Sequence, residues 1–156
     1  MSRNDTIYAK IMRYGNDILE SEIFLEGEHQ KHHYIDTVAH HSLEVAKLSL
    51  KIADRLSKFG IKVNEEALIK ASLCHDLGII GRREKFHSPW QTTFGHPKDS
   101  AMIASDITGS NDQIENMIRS HMFPASPVLP KSKEAWILIL ADKTAPVIEL
   151  FKSHKH

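Results

Sequence analysis

Apolar residues along this chain recur at helical spacing from the first turns almost to the end, and nowhere do they alternate for more than a few positions. Ile7, Ile11, Tyr14 and Ile18 trace one stripe, with Asn4 or Asp5 standing where a helix cap belongs and the run ending near Glu20 to Glu22. Residues 23–35 are polar and histidine-rich around Gly27, and read as a connection with a short helical turn. Asp36 offers a cap for a long second helix, which carries Val38, His41, Val45, Leu48, Ile52 and Leu56 on one face and stops at Phe59-Gly60. His41 lies on that apolar stripe; His40 points about 100° away, towards solvent. Asn64 followed by Glu65-Glu66 signals a third helix, apolar at Ala67, Leu68, Ala71, Leu73, Cys74 and Leu77 and closed by Gly78.

Residues 79–95 then read as a long connection holding Gly81, Arg82, Arg83, Lys85, Pro89 and Gly95. Proline is favoured at the first helical position, so a fourth helix is expected from Pro97 through Met102 and Ile103 to about Thr108. Asn111 caps a fifth, with Ile114, Met117, Ile118 and His121 on one face, and the stretch from Phe123 to Pro130 is a rigid proline-rich link. A sixth begins near Ser132. Its run from Trp136 to Ala141 is apolar all round, which predicts a central, fully buried helix. Pro146 is expected to end or kink it, leaving Val147 to Phe151 as a short amphipathic segment on the surface. The pattern predicts one all-α domain spanning residues 1–156, a bundle of six to seven helices.

Composition narrows the setting. An apolar fraction of 41% and a charged fraction of 26% suit a soluble globular chain, and 20 basic residues balance 20 acidic ones, so no net field draws it to a nucleic-acid polymer or a membrane. No apolar run approaches the ~18 residues of a membrane span, and the polar start is not a signal peptide. Cys74 is the one cysteine, which excludes an internal disulfide and suits a reducing cytoplasm. Histidine is the anomaly: there are eleven, five of them between His29 and His41.

Four helices each place a polar side chain on an apolar face: His41, the adjacent pair His75-Asp76, His121 and Asp142. His96 stands just before the expected fourth helix. A single core histidine is ordinarily a hydrogen-bonded structural residue. An ionised carboxylate such as Asp142, among Trp136, Ile139, Leu140 and Val147, needs a cationic partner. Several imidazoles with two carboxylates form a donor set suited to Mn, Fe, Co, Ni or Zn.

The order His41, then His75-Asp76, then Asp142 within Ala141-Asp142-Lys143, resembles the HD-domain superfamily of metal-dependent phosphohydrolases, and it covers most of the chain from residue 36 to 150. Gly95-His96-Pro97-Lys98 and Ser120-His121-Met122-Phe123-Pro124 are similar to the two extra histidines of its six-ligand subgroup, as found in small stand-alone bacterial members. The resemblance implies an all-helical HD bundle holding one or two divalent transition metal ions. One ion would sit on His41, His75, Asp76 and Asp142, and a second on His96 and His121, with Asp76 bridging.

It further implies hydrolysis of a small phosphate ester, a nucleotide or related phosphomonoester or diester, by a metal-activated hydroxide. Asp76 and Lys143 would be catalytic, while Arg82, Arg83 and Lys98 would bind the phosphate. Lys85 stands in the same basic cluster, and Trp90 and Phe94 could stack on a base. Gly78 is followed by Ile79-Ile80 rather than by the lysine of the cyclic-dinucleotide branch, and that branch's Gly-Tyr-Pro element is missing, which argues against such substrates. A di-iron oxygenase on the same scaffold and a non-catalytic, metal-stabilised sensor are the competing readings.

Overall fold

In the computed structural model of the chain the described residues are 1–29, 31–33, 36–80 and 87–155. They form seven α-helices: α1 (Arg3–Leu19), α2 (Glu22–Glu26), α3 (Val38–Ser57), α4 (Glu65–Cys74), α5 (Pro89–Thr108), α6 (Asp112–Arg119) and α7 (Lys133–His154). A single 3-10 turn, Leu77–Ile79, follows α4, and two very short antiparallel strands, β1 (Lys31–His33) and β2 (Asp36–Thr37), precede α3. The expected all-α architecture holds. The strands are too short to show as alternation in the sequence.

Several expected boundaries move, each for a local reason. Helix α1 is capped by Ser2, which accepts the Asp5 N–H at 3.1 Å while the Asp5 carboxylate accepts the Ser2 N–H at 3.0 Å. Asp5 is therefore the far half of a capping box and not the cap itself. Thr37, whose hydroxyl accepts the His40 N–H, caps α3 in place of Asp36. Helix α5 starts eight residues before the expected Pro97: Ser88 caps it, Pro89 takes the first position, and Pro97 lies inside. Both prolines satisfy a helix-start rule, and the cap bond from the Gln91 N–H to Ser88 Oγ, 3.2 Å, decides between them. Asn64 and Asn111 cap α4 and α6 as expected.

Helix α7 departs furthest from expectation. It runs through Pro146 without ending, and only one side of it is buried: Ala135, Ile137, Leu138, Ile139, Ala141 and Ala145 face the core. Trp136 and Leu140, from the run expected to be wholly buried, are more than half exposed.

The core gathers where α3, α4 and α7 meet, closed by α1 on one side and by α5 and α6 on the other. Leu68, Ile69 and Leu73 of α4 are fully buried, and truncating any one to alanine should cost about 2–5 kcal/mol. Helix α1 approaches α4 at Gly15, where a Cβ would meet Leu73 Cδ1 at 2.5 Å. At one end of the bundle buried Glu134 accepts the Asn64 N–H at 3.0 Å and the Gln113 side-chain amide at 3.2 Å, tying the starts of α4, α6 and α7 together.

Candidate metal centre

The fold brings all six expected ligands together. His41 comes from the first turn of α3, and His75 is the C-cap of α4. Asp76 follows with φ −112° and ψ 6°, the sparsely populated bridge region, just ahead of the 3-10 turn. His96 lies in α5, His121 two residues past the end of α6, and Asp142 midway along α7. His41, His75, Asp76 and Asp142 can each offer one ligand atom within 4.8 Å of the others, and so can Asp76, His96 and His121. All are buried except Asp142, whose side chain is 14% exposed and marks the open side.

Asp76 divides its carboxylate between the two groups. Oδ2 lies 3.4 Å from His41 Nε2 and 3.3 Å from His75 Nε2, and Oδ1 lies 3.2 Å from His96 Nε2 and 3.3 Å from His121 Nε2. Asp142 Oδ1 adds to the first group, 2.9 Å from His41 Nε2 and 3.1 Å from His75 Nε2.

Behind the cluster the backbone fixes the rings. Nδ1 of His75 lies 2.6 Å from the Ser72 carbonyl oxygen, Nδ1 of His96 2.6 Å from that of Thr92, and Nδ1 of His121 2.6 Å from that of Ile118. A carbonyl only accepts, so each Nδ1 carries the proton, and in the neutral ring Nε2 is then a bare lone pair. Three such lone pairs converge on carboxylate oxygens, and Nε2 of His96 faces Nε2 of His121 at 3.0 Å. Lone pairs facing lone pairs repel unless a cation, proton or metal ion, stands between them. The donor set therefore fits divalent transition metals, and the Nδ1 bonds are of the kind that would hold a metal-binding imidazole in place.

Electrostatics separates the two groups. Burial alone would push the His75 pKa down, but the Asp76 and Asp142 carboxylates outweigh it and hold the pKa well above the ordinary histidine value. Burial pushes Asp142 up, yet His75 and His41 draw its carboxyl well below the usual carboxylate range. His121 goes the other way: burial lowers its pKa, and Asp76 does not make up the difference. Beside them burial pushes the Cys74 thiol up to about 12, so it stays protonated and offers no thiolate.

The expected phosphate-binding residues are less concentrated. Arg82, Arg83 and Lys85 lie outside the described residues. Lys98 is exposed on α5 and lines a groove with Met102, Asp106, Glu115 and Arg119 that none of the six clustered residues lines. Lys143 is exposed on α7, next in sequence to Asp142. Trp90 and Phe94 stack on each other, ring centres 5.9 Å apart, near the start of α5. His40, Glu44 and Glu149 also come within ligating distance at the surface, but Lys47 pairs with Glu44 at 3.0 Å and Lys152 approaches Glu149 at 3.8 Å.

Ser100 is a contributor the sequence reading missed. Its hydroxyl accepts the Gly78 N–H at 2.8 Å, inside the core, joining the turn after Asp76 to the helix that carries His96. The hint available was a pair of small residues, Gly78 and Ser100, each two to four positions beyond a ligand.

Residues 38–147 match the family model of the HD domain. The chain is also similar to the dihydroneopterin 2',3'-cyclic phosphate phosphodiesterase of Methanocaldococcus jannaschii, at 29% identity over 120 residues, which is 72% of this chain and 47% of that protein. The chain thus spans about half the length of that curated relative. No solved structure matches it significantly.

Proposed function

The chain belongs to the HD-domain family, and on that premise we propose that it is a metal-dependent hydrolase of a small phosphate ester, with a nucleotide-like phosphodiester or phosphomonoester as substrate. One observation carries the reading: a single buried carboxylate, Asp76, faces two imidazoles with each of its oxygens. Such a carboxylate would let His41, His75 and Asp142 hold one divalent ion and His96 and His121 another, with Asp76 common to both. When bound, such ions supply Lewis acidity toward phosphoryl oxygens and lower the pKa of a coordinated water towards neutrality.

The protein's own part is positional. Three carbonyl-bound Nδ1 atoms hold His75, His96 and His121 with Nε2 turned inward, so no rotamer is lost on loading. Asp76 and Asp142 supply the negative charge that a dication needs in a dry site. Substrate would enter on the side of Asp142, where the cluster meets solvent. Lys143, next to Asp142 and exposed on α7, is assigned to the phosphate from the rim. Arg82 and Arg83, in the segment between the 3-10 turn and α5, are assigned the same task; Lys98, two residues after buried His96, lines a groove apart from the cluster and is left out of it.

The named activity of the archaeal relative, on a 2',3'-cyclic phosphate, favours a phosphodiester over an oxygenase substrate. The test is turnover of a panel holding 2',3'-cyclic nucleotides, bis(p-nitrophenyl) phosphate and nucleoside monophosphates, with added Mn²⁺, followed by product chromatography. Hydrolysis lost in Asp76→Asn supports the proposal. A preparation holding two irons that consumes oxygen and hydrolyses nothing refutes it, as does inertness in both assays with a melting temperature that collapses on chelation.

A further inference from the structure

Helix α7 is apolar on two opposite sides. One side packs on the core, through Ala135, Leu138, Ala141 and Ala145. The other presents Trp136, Leu140, Val147, Leu150 and Phe151, each between 50% and 66% exposed. The Phe123 ring, set against Trp136 at 5.8 Å, extends this outer face at one end. An exposed helix ordinarily turns charged residues outward; here Lys143 is the one charge between Trp136 and Phe151 on that side, and it stands at its edge. Aromatic side chains offer ~150–250 Å² each, so the half-exposed set leaves about 500 Å² of apolar surface, a size at which patches mark interaction sites. With a polar rim added, it is on the scale of the ~800 Å² per partner of a standard interface.

The spacing identifies the occupant. Positions 136, 140, 147 and 151 are symmetric about the point between Lys143 and Thr144. A second α7, turned antiparallel about a two-fold axis there, presents the same pattern in register. Trp136 then meets Phe151 of the partner subunit and Leu140 meets Val147 of the partner subunit, while Lys143 stands on the flank of the seam, on the side towards Asp142, with its ammonium in water. No opposite charge is needed on the other side, as it would be for an acidic or basic partner. We propose that the outer face of α7 is the interface of a homodimer formed by antiparallel pairing of this helix. The contact braces, from behind, the helix that delivers Asp142 to the buried cluster.

Sedimentation equilibrium across the micromolar range tests this on the full chain, beside Leu140→Glu and Val147→Glu. The wild type should run at twice the 17.7 kDa chain mass, and each exposed-site variant should weaken association by roughly a hundredfold or more while keeping its helical circular dichroism. The antiparallel register has its own test. The double variant Leu140→Cys/Val147→Cys should form a covalent dimer on oxidation, whereas Leu140→Cys alone should not, its two thiols lying ~10 Å apart along the axis. Cys74 is buried and adds no background. A wild-type chain that stays at its own mass, including one that binds lipid vesicles as a monomer, overturns the proposal. So does a dimer that survives both glutamates, or one that crosslinks equally through Leu140→Cys alone.

Discussion

Around Oδ2 of Asp76 stand His41 and His75, with a second carboxylate, that of Asp142, within 3.1 Å of both; around Oδ1, among the described residues, stand His96 and His121. The first half is anionic, and without metal its His75 holds a proton between two carboxylates. The second half brings no carboxylate beyond Asp76, its two imidazoles facing each other at 3.0 Å and His121 pushed towards the uncharged form. They differ in mounting as well. The first half hangs on α3, α4 and α7, the helices that share the centre of the core, and the second on α5 and the turn after α6, joined to the rest near Asp76 by Gly78 and Ser100. If both halves take an ion, the first should hold it the more strongly, and the second should depend on how closely α5 is docked. Two ions bound there should differ in affinity and in their response to acid.

Removing the shared oxygen pair erases the comparison and has the largest expected effect. Asp76→Ala should empty both halves by elemental analysis and lower phosphodiester turnover on the order of 10³-fold or more, since even outer-contact losses cost 10–100-fold in metal affinity. Its far-UV circular dichroism should stay helical, because the core of α3, α4 and α7 is untouched. Wild-type turnover in this variant would end the bridging role. His96→Ala cuts only one side. It should reduce two ions per chain to one, with the stronger half still loaded; an unchanged metal count would reduce the centre to a single ion.

Acid sharpens the same contrast. In the metal-free protein the raised pKa of His75 means that a proton occupies the first half at neutral pH, and an ion binding there must displace it. Affinity for that ion should therefore fall as pH falls, by about tenfold per unit for one displaced proton, already across the neutral range. His121, with its lowered pKa, is deprotonated there, so it has no proton to lose to an ion in the second half and should add no slope until more acidic pH. Competition titrations with a chromophoric chelator between neutral and mildly acidic pH would read both slopes. Equal slopes would mean that the two halves share one protonation state.

The halves were unequally legible in the sequence. His41, His75-Asp76, Asp142 and, from the second half, His121 betray themselves as polar residues on apolar helical stripes, the violation that a buried site must make. His96 was found from its similarity to family motifs, since the expected helix began after it at Pro97; in the structure it sits inside α5, with Pro97 also interior. Two start signals competed, and only the cap geometry at Ser88 resolved them. The three carbonyl acceptors behind the histidines are backbone atoms and leave no trace in residue identity. Helix α7 misled for a different reason: apolar residues all round a helix do not tell burial in the core from an exposed face, and Trp136 and Leu140 belong to the latter.

The smallest expected effect addresses the docking of α5. A Cβ at Gly78 would collide with the His96 carbonyl oxygen and stand 2.8 Å from both the backbone nitrogen and the hydroxyl of Ser100. These are mostly backbone contacts, so in Gly78→Ala the helix itself must retreat, and His96 retreats with it while His75 and Asp142 keep their mounts. Overpacking of this kind costs typically about 1–3 kcal/mol of stability. The sharper readout is selective: the second ion should bind about tenfold more weakly and the first with unchanged affinity. Ser100→Ala separates the steric cause from the lost hydrogen bond, because it removes the acceptor of the Gly78 N–H without pushing α5 away. It should lower stability by about 1–3 kcal/mol, the cost of a buried donor left unpaired, and keep both ions. If Gly78→Ala instead weakened both ions equally, the glycine would be setting the position of Asp76, and the two halves would be mechanically one.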